Sequence, residues 1–140
     1  IFGVNTGNRD KAETVVSDMR SRIQAVEYRA AGHPEPRVLL MLDPAWGFWS
    51  GGTDTFMDCM IDIAGGRNWR TDTGWVNVGI EYLLADPPCI FIAVGPYCMD
   101  AVGTQFPNSR VYNLTCSSMT QRPGPRIIYP IEEMNRYIHP

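Results

Sequence analysis

The chain has 140 residues, enough for one domain with its own core, and it needs no disulfide or metal in order to fold. Its apolar fraction of 44% and charged fraction of 19% are typical of an ordinary globular domain and exclude disorder. The net charge is −3 and the arginines are scattered, so the sequence shows no basic stripe for nucleic acid.

Export and membrane signals are missing from the sequence itself. No stretch is apolar for long enough to span a membrane, and residues 1–4 are too few for the core of a signal peptide. Either the chain is cytosolic or its export signal lies outside this sequence.

The four cysteines show neither a C-x-x-C pair nor a histidine at ligand spacing, so we expect no metal ion bound by the chain's own side chains. Cys59 and Cys89 lie in apolar runs and are predicted to be small core residues. Cys98 and Cys116 lie in predicted loops and either remain free or form a disulfide in an oxidising compartment.

A six-turn helix is predicted over residues 10–31. Asp10 followed by Glu13 matches a capping box, and Gly32 with Pro34 behind it matches a helix end. Apolar residues recur at three- and four-residue steps and predict one buried face: Ala12, Val15, Val16, Met19, Ile23, Val26 and Ala30. The helix either packs within this domain or is the end of a strut that joins the domain to something before Ile1.

Strands and helices are predicted to alternate along the rest of the chain. Two proline-bounded apolar runs, over residues 36–44 and 86–95, predict strands buried on both faces, and residues 109–114 predict a third, shorter strand. Helices are predicted after Thr53, from about Gly79, over residues 99–105 and near the end of the chain. This alternation predicts a layered α/β domain.

Aromatic residues collect where the first two strands end. Trp46, Phe48 and Trp49 follow the first strand among glycines, and Tyr97 follows the second. Ligands of open α/β sheets bind at the carboxyl ends of the strands, where these loops are expected to lie. Exposed aromatic surface at that edge favours a binding function.

Two more tryptophans lie in a polar stretch between two predicted helices. The first of these helices ends at residues 65–66, and a new one begins near Gly79. Trp75 is the candidate for a ligand contact, with packing as its alternative, whereas Trp69, beside the helix end, is expected to pack.

Candidate catalytic groups do not assemble. His33 lies in a Gly-His-Pro turn and His139 is the penultimate residue, so neither is placed as a general base. P-loop, nucleophile-elbow and dinucleotide-binding patterns are absent. Residues 51–53 could present amides to an anion at a helix start, although an ordinary loop is the favoured interpretation. We therefore expect a binding protein without catalytic residues.

The order of these motifs resembles the C-terminal lobe of the periplasmic substrate-binding proteins that feed ABC importers of cobalamin, haem and iron-siderophore complexes. The resemblance covers nearly the whole chain and is most specific over residues 52–56, 63–68 and 75–90. It implies a Rossmann-like helix/sheet/helix lobe with a mainly parallel sheet over residues 36–140. The helix over residues 10–31 would follow or form the connection to a missing N-terminal lobe, so the chain would be about half of a full protein.

The resemblance also implies roles for single residues. Trp75 matches a position where the family places an aromatic against its ligand, and Glu81 matches an acidic residue that docks to arginines of the permease. Together the residues at the strand ends would line one wall of a cleft for a metal complex, which is cargo rather than a cofactor: Trp46, Phe48, Trp49, Trp75 and Tyr97. The implied location is periplasmic, or extracellular and membrane-anchored.

Two departures from the family pattern leave the identity of the ligand open. They are the aromatic loop over residues 46–49, and Gly79 where a Ser or Thr cap is frequent. Two other functions remain as alternatives. One is a stand-alone α/β enzyme or nucleotide-binding domain that uses the glycines from residue 51 onward, and the other is a protein-interaction module that uses the patch from Trp46 to Trp49.

Overall fold

A computed structural model describes residues 7–115, 117–122 and 124–140, with Ser117 and Met119 described by their backbone alone. Its helices and strands follow in the order α1 (Arg9–Ala30), β1 (Arg37–Met41), β2 (Phe48–Gly51), α2 (Phe56–Ile63), β3 (Arg67–Asn68), β4 (Trp75–Val78), α3 (Ile80–Ala85), β5 (Ile90–Ala93), α4 (Asp100–Gln105), β6 (Arg110–Asn113), α5 (Ser117–Thr120) and α6 (Ile128–Ile138). Short 3-10 turns precede β2 and α6.

The strands form one sheet in the order β4-β2-β1-β5-β6, and β3 pairs with the first part of β1. Strands β3 and β5 are parallel to β1, and β6 is parallel to β5. Strand β2 is antiparallel to both β1 and β4. The prediction of a mainly parallel sheet is therefore confirmed. Strands β2 and β4 lie where the sequence predicted loops, because serine, glycine and asparagine interrupt their short apolar runs.

Two hydrophobic cores cover the two faces of the sheet. Alternate residues of β1 supply them: Val38 and Leu40 face α1, α2 and α6, whereas Leu39 and Met41 face α3 and α4. Strand β5 is buried along its whole length, as expected for a parallel strand covered on both faces. The three-layer helix/sheet/helix prediction is confirmed.

Helix α1 packs on the sheet through its second half only. Val26 is completely buried, whereas Val15 and Val16 in the first half are 41% and 45% exposed. The predicted capping box is wrong because the helix begins at Arg9, which places Asp10 inside the first turn. Glu13 instead pairs with Arg9, 2.7 Å away. None of the described helices is both long and apolar enough to cross a membrane.

The cysteine predictions need correction. Cys59 and Cys89 are exposed rather than in the core. Helix α2 turns Met57, Met60 and Ile61 inward, which leaves Cys59 on the outer side. Cys89 precedes β5 and lies outside its buried run. Cys98 is exposed too, with its thiol 3.4 Å from Asp100, while Cys116 lies outside the described residues, so their pairing remains untested.

Candidate functional site

The loop after β1 brings an exposed tryptophan to the carboxyl edge of the sheet. The carboxylate of Asp43 accepts a hydrogen bond of 2.9 Å from the Ala45 amide and starts the 3-10 turn that carries Trp46. Gly47 then has a φ of +95°, a conformation that favours glycine, and a Cβ there would lie 2.7 Å from the Asn77 side chain. This tight reversal leads into β2 and leaves Trp46 78% exposed.

Trp49 and Trp75 lie on the same face of the β2–β4 pair. The register places Trp49 opposite Asn77 and Gly51 opposite Trp75, and residues two apart on a strand share a face. The two indoles are 41% and 44% exposed. Half-exposed indoles on a rigid strand pair present flat apolar surface at fixed positions, which suits the binding of a large ligand.

An apolar pocket adjoins Trp75 on this face. The Trp75 and Phe56 ring centroids lie 6.4 Å apart, and the pocket between them has a volume of about 240 Å³. Leu42, Met57 and Gln121 complete its lining. Ligand sites usually measure about 300–1,000 Å³, so this pocket is one wall of a site rather than a whole one. Phe56 and Leu42 carry no sequence signal for ligand binding, because their spacing is that of ordinary core residues.

Phe48 and Tyr97 lie on the opposite side of the sheet. The Phe48 ring centroid is 6.3 Å from that of Phe91 and 6.4 Å from that of Phe106, and Tyr97 packs against the same core. Phe48 and Trp49 are neighbours on a strand and therefore face opposite ways. The structure thus places Trp49 and Trp75 on one face of the sheet but not Phe48 or Tyr97. The patch predicted from Trp46 to Trp49 is therefore not continuous, because Phe48 faces the other side.

Trp69 packs, as expected from its place beside a helix end. Its indole Nε1 donates a hydrogen bond of 2.8 Å to the Asp86 carbonyl, and its ring contacts the core under α3 and α4. The backbone amide of Trp69 also donates to the Val38 carbonyl and so extends the pairing of β3 with β1.

A buried carboxylate fixes the chain where β6 ends. Glu133 accepts hydrogen bonds from the Thr115 amide and hydroxyl and from the Tyr137 hydroxyl, at 2.7–3.2 Å. Burial, followed by the hydrogen bond to Glu133, raises the pKa of Tyr137 to about 12. The side-chain amide of Asn113 donates a hydrogen bond of 2.8 Å to the backbone carbonyl of Tyr97, which ties the end of β6 to the loop after β5. The carboxyl edge is therefore braced by internal hydrogen bonds.

Glu81 lies on the surface in the first turn of α3. A Cβ on Gly79 would be 2.9 Å from Oε2 of Glu81, so this carboxylate bends back over the start of the helix. Backbone amides at a helix start favour a negative charge there. Glu81 makes none of the ion pairs found within the described residues, and its neighbours Tyr82 and Leu84 are 72% and 54% exposed.

Comparison with known families decides the class of protein. Residues 2–110 match the family described as periplasmic binding protein. The chain belongs to this family. Its fold is also similar to that of a solved protein of Staphylococcus epidermidis, titled a possible iron-binding (periplasmic solute-binding) protein. That match has a TM-score of 0.83 at 19% identity and covers 99% of this chain and 59% of the other.

Two curated relatives of this periplasmic binding protein are each 26% identical to it. An ABC transporter substrate-binding lipoprotein of Bacillus subtilis is 26% identical over 152 residues, which cover 100% of this chain and 48% of the relative. A cobalamin-binding protein of Halobacterium salinarum is also 26% identical, over 157 residues that cover 99% of this chain and 42% of the relative. The chain therefore spans about half the length of the curated relatives it matches. Both relatives are named for binding or transport and not for catalysis.

Proposed function

We propose that the chain forms one lobe of an extracytoplasmic protein that binds a metal chelate and delivers it to an ABC import permease. The observation that carries the proposal is the pair of half-exposed indoles, Trp49 and Trp75, on one face of the sheet beside an apolar pocket. Membership of the periplasmic binding protein family supports a transport role. The relatives named for cobalamin and for iron point to a metal complex of the cobalamin, haem or siderophore type.

The chain's part in binding is to offer a flat apolar wall. A fully buried indole removes about 150–250 Å² from water, so two half-exposed indoles leave a substantial apolar area for a ligand to cover. Trp46 would extend this wall along the carboxyl edge. A siderophore's iron needs no protein side chain in this scheme, because the chelating groups already fill its coordination sphere.

A second lobe would complete the site. Val15 and Val16 in the first half of α1 are exposed, and an N-terminal lobe would cover them while closing over the indoles. The location that fits this function is the periplasm or the outer face of a membrane, and the name of the Bacillus subtilis relative as a lipoprotein supports it. Glu81 is exposed and makes no ion pair with any described residue. It is the proposed contact with arginines of the permease, where a charge pair would fix the docking register.

Titration of cobalamin, haem and a ferric siderophore into the two-lobe protein, followed by tryptophan fluorescence, tests the proposal. One of them should quench the fluorescence saturably, and Trp75→Ala should weaken its binding about tenfold or more, as expected when an aromatic anchor is lost. Tyr28→Ala is the matched control because Tyr28 is 84% exposed on α1, away from the indoles. The proposal fails if none of the three quenches, or if the two variants bind equally well.

A further inference from the structure

A second cavity lies beside β4 and the start of α3. Val76 and Val78, which point to the opposite face of the strand from Trp75, line it together with Asn77. Its volume is about 650 Å³, which is typical of small-molecule sites. Trp69 and Tyr82 supply aromatic wall. We call it the arginine cavity, after the three arginines that line it, Arg37, Arg67 and Arg70.

Arg70 is buried in the wall of the arginine cavity with unused donors. Its side chain is 8% exposed, and its buried Nε and Nη2 have no hydrogen-bond partner. The Asp72 carboxylate lies 2.7 Å from Nη2 but does not have the geometry of a hydrogen bond. The Nε–Nη2 edge of a guanidinium is planar and matches a carboxylate through two parallel hydrogen bonds. Arg70 therefore presents a two-donor edge for which none of the described residues supplies a fitting acceptor.

The charges around the arginine cavity favour an anion. Three guanidinium groups line it against two carboxylates, those of Asp72 and Asp86. Asp86 is already engaged, because both of its oxygens accept from Arg37 at 2.6 and 2.7 Å. Arg67 is exposed and makes none of the ion pairs found in the described part of the chain. A positive charge thus remains uncompensated at the mouth of the cavity.

We propose that the arginine cavity binds a small carboxylate-bearing solute, whose carboxylate sits on Nε and Nη2 of Arg70 in the place now taken by Asp72. The Asp72 side chain is 72% exposed, so solvent screens its pairing with Arg70 and it can turn outward at small cost. A bidentate ligand would then satisfy the two buried donors. Buried donors without acceptors are unfavourable, which adds to the gain on binding.

The site is independent of the proposed chelate site, because the arginine cavity and the apolar pocket beside Trp75 have no lining residue in common. Titration of citrate into the isotope-labelled chain at constant ionic strength tests it by NMR. The Trp69 indole N–H resonance should shift saturably, since Trp69 lines the arginine cavity, while those of Trp46, Trp49 and Trp75 should stay in place. The same titration with chloride should move none of them.

Two substitutions give opposite expectations. Asp72→Asn removes the competing carboxylate and should tighten citrate binding about tenfold. Arg70→Lys keeps the charge but loses the two-donor edge and should weaken binding about tenfold or more. Asp62→Asn, at an exposed carboxylate of α2 away from the cavity, is the matched control and should bind like the wild type.

An Arg70–Asp72 pair with a purely structural role predicts a different pattern. Asp72→Asn would then lower stability and give no gain in citrate binding. That result overturns the proposal, as does a Trp69 shift that persists unchanged in Arg70→Lys. The gain expected for Asp72→Asn involves an exposed residue, so the test does not depend on a variant with an altered interior.

Discussion

Arg22 joins α1 to α6 more firmly than an ordinary surface ion pair would. It donates to both oxygens of Glu132, at 2.9 and 2.7 Å, and its guanidinium lies 4.4 Å from the centre of the Tyr129 ring. The hydrogen bonds from Arg22 lower the pKa of Glu132, against the desolvation that would raise it. A lowered pKa stabilises the fold above the ordinary carboxyl pKa, and this stability is lost as the pH falls through the lowered value.

Glu132→Gln should therefore reduce the free energy of unfolding by about 1–2 kcal/mol near neutral pH. The difference in stability from the wild type should shrink in acid, because protonation there makes Glu132 of the wild type uncharged, like the glutamine of the variant. Urea denaturation at neutral and acid pH measures both values. Glu13→Gln is the control, because Glu13 and Arg9 are 62% and 74% exposed and such pairs contribute less than about 1 kcal/mol. Equal losses in the two variants would contradict this account.

The direction in which a side chain points is what the sequence conceals at this scale. Trp49 and Phe48 were predicted to line the same wall of a cleft. They are neighbours in β2, however, and the pairing of β2 with β4 places the two rings on opposite faces of the sheet. Cys59 lies in an apolar run of α2 and still faces outward, because a helix buries one stripe and not every apolar neighbour. Arg70 carries no sequence signal at all, since its burial comes from the loop between β3 and β4.

Among the elements, β1 and β5 were predictable because prolines bound each apolar run and burial on both faces makes the run continuous. Strands β2 and β4 were not. Each ends beside glycines and lacks an apolar run bounded by prolines, and β4 depends on hydrogen bonds that distant residues supply. The amides of Gly52 and Thr53 donate to the carbonyls of Gly74 and Asp72, which fixes the loop that leads into β4.

These two backbone hydrogen bonds form a clamp between residues 52–53 and the loop before β4. Gly52 allows this clamp because it has no side chain. A Cβ there would lie 1.8 Å from the Asp72 carbonyl oxygen, so Gly52→Ala must push the loop away and should reduce the free energy of unfolding by about 2 kcal/mol or more. Gly103→Ala is the matched control. Its Cβ would meet nothing nearer than Val111 at 4.0 Å, and alanine within α4 should stabilise by about 0.5–1 kcal/mol. Thermal unfolding of both variants measures the contrast, and a Gly52→Ala variant as stable as the wild type would refute the clamp.

For the whole molecule, α1 divides into a packed half and an open half. Residues 9–19 bury little, whereas Val26 and Arg22 tie the second half to α2 and α6. In the chain alone, amide hydrogens of the first half should exchange much faster than those of the second, because local opening there breaks few contacts. Mass-spectrometric hydrogen exchange measures this. Protection of the first half in a two-lobe protein, but not in this chain, is the result expected if a second lobe covers it.

The proposed docking to a permease concerns the complete two-lobe protein rather than this chain alone. Glu81→Arg should leave chelate affinity unchanged and lower uptake at least several-fold, because a repulsive contact replaces the proposed attraction to permease arginines. Glu35→Arg, at an exposed position before β1, is the control for the change in net charge. Uptake assays in cells that carry the cognate permease measure the effect. Equal uptake by both variants would return Glu81 to a local role at the start of α3.

Strand β4 has a pairing partner on one side only, since β2 is its single neighbour within the described residues. Its outer row of amides and carbonyls is therefore open to solvent, and an open strand edge can recruit a strand from another molecule. Four residues extend only about 13 Å, too short for a lasting template, and β4 ends where the chain turns into α3. The four-residue length of β4 thus protects the folded chain against edge-to-edge aggregation.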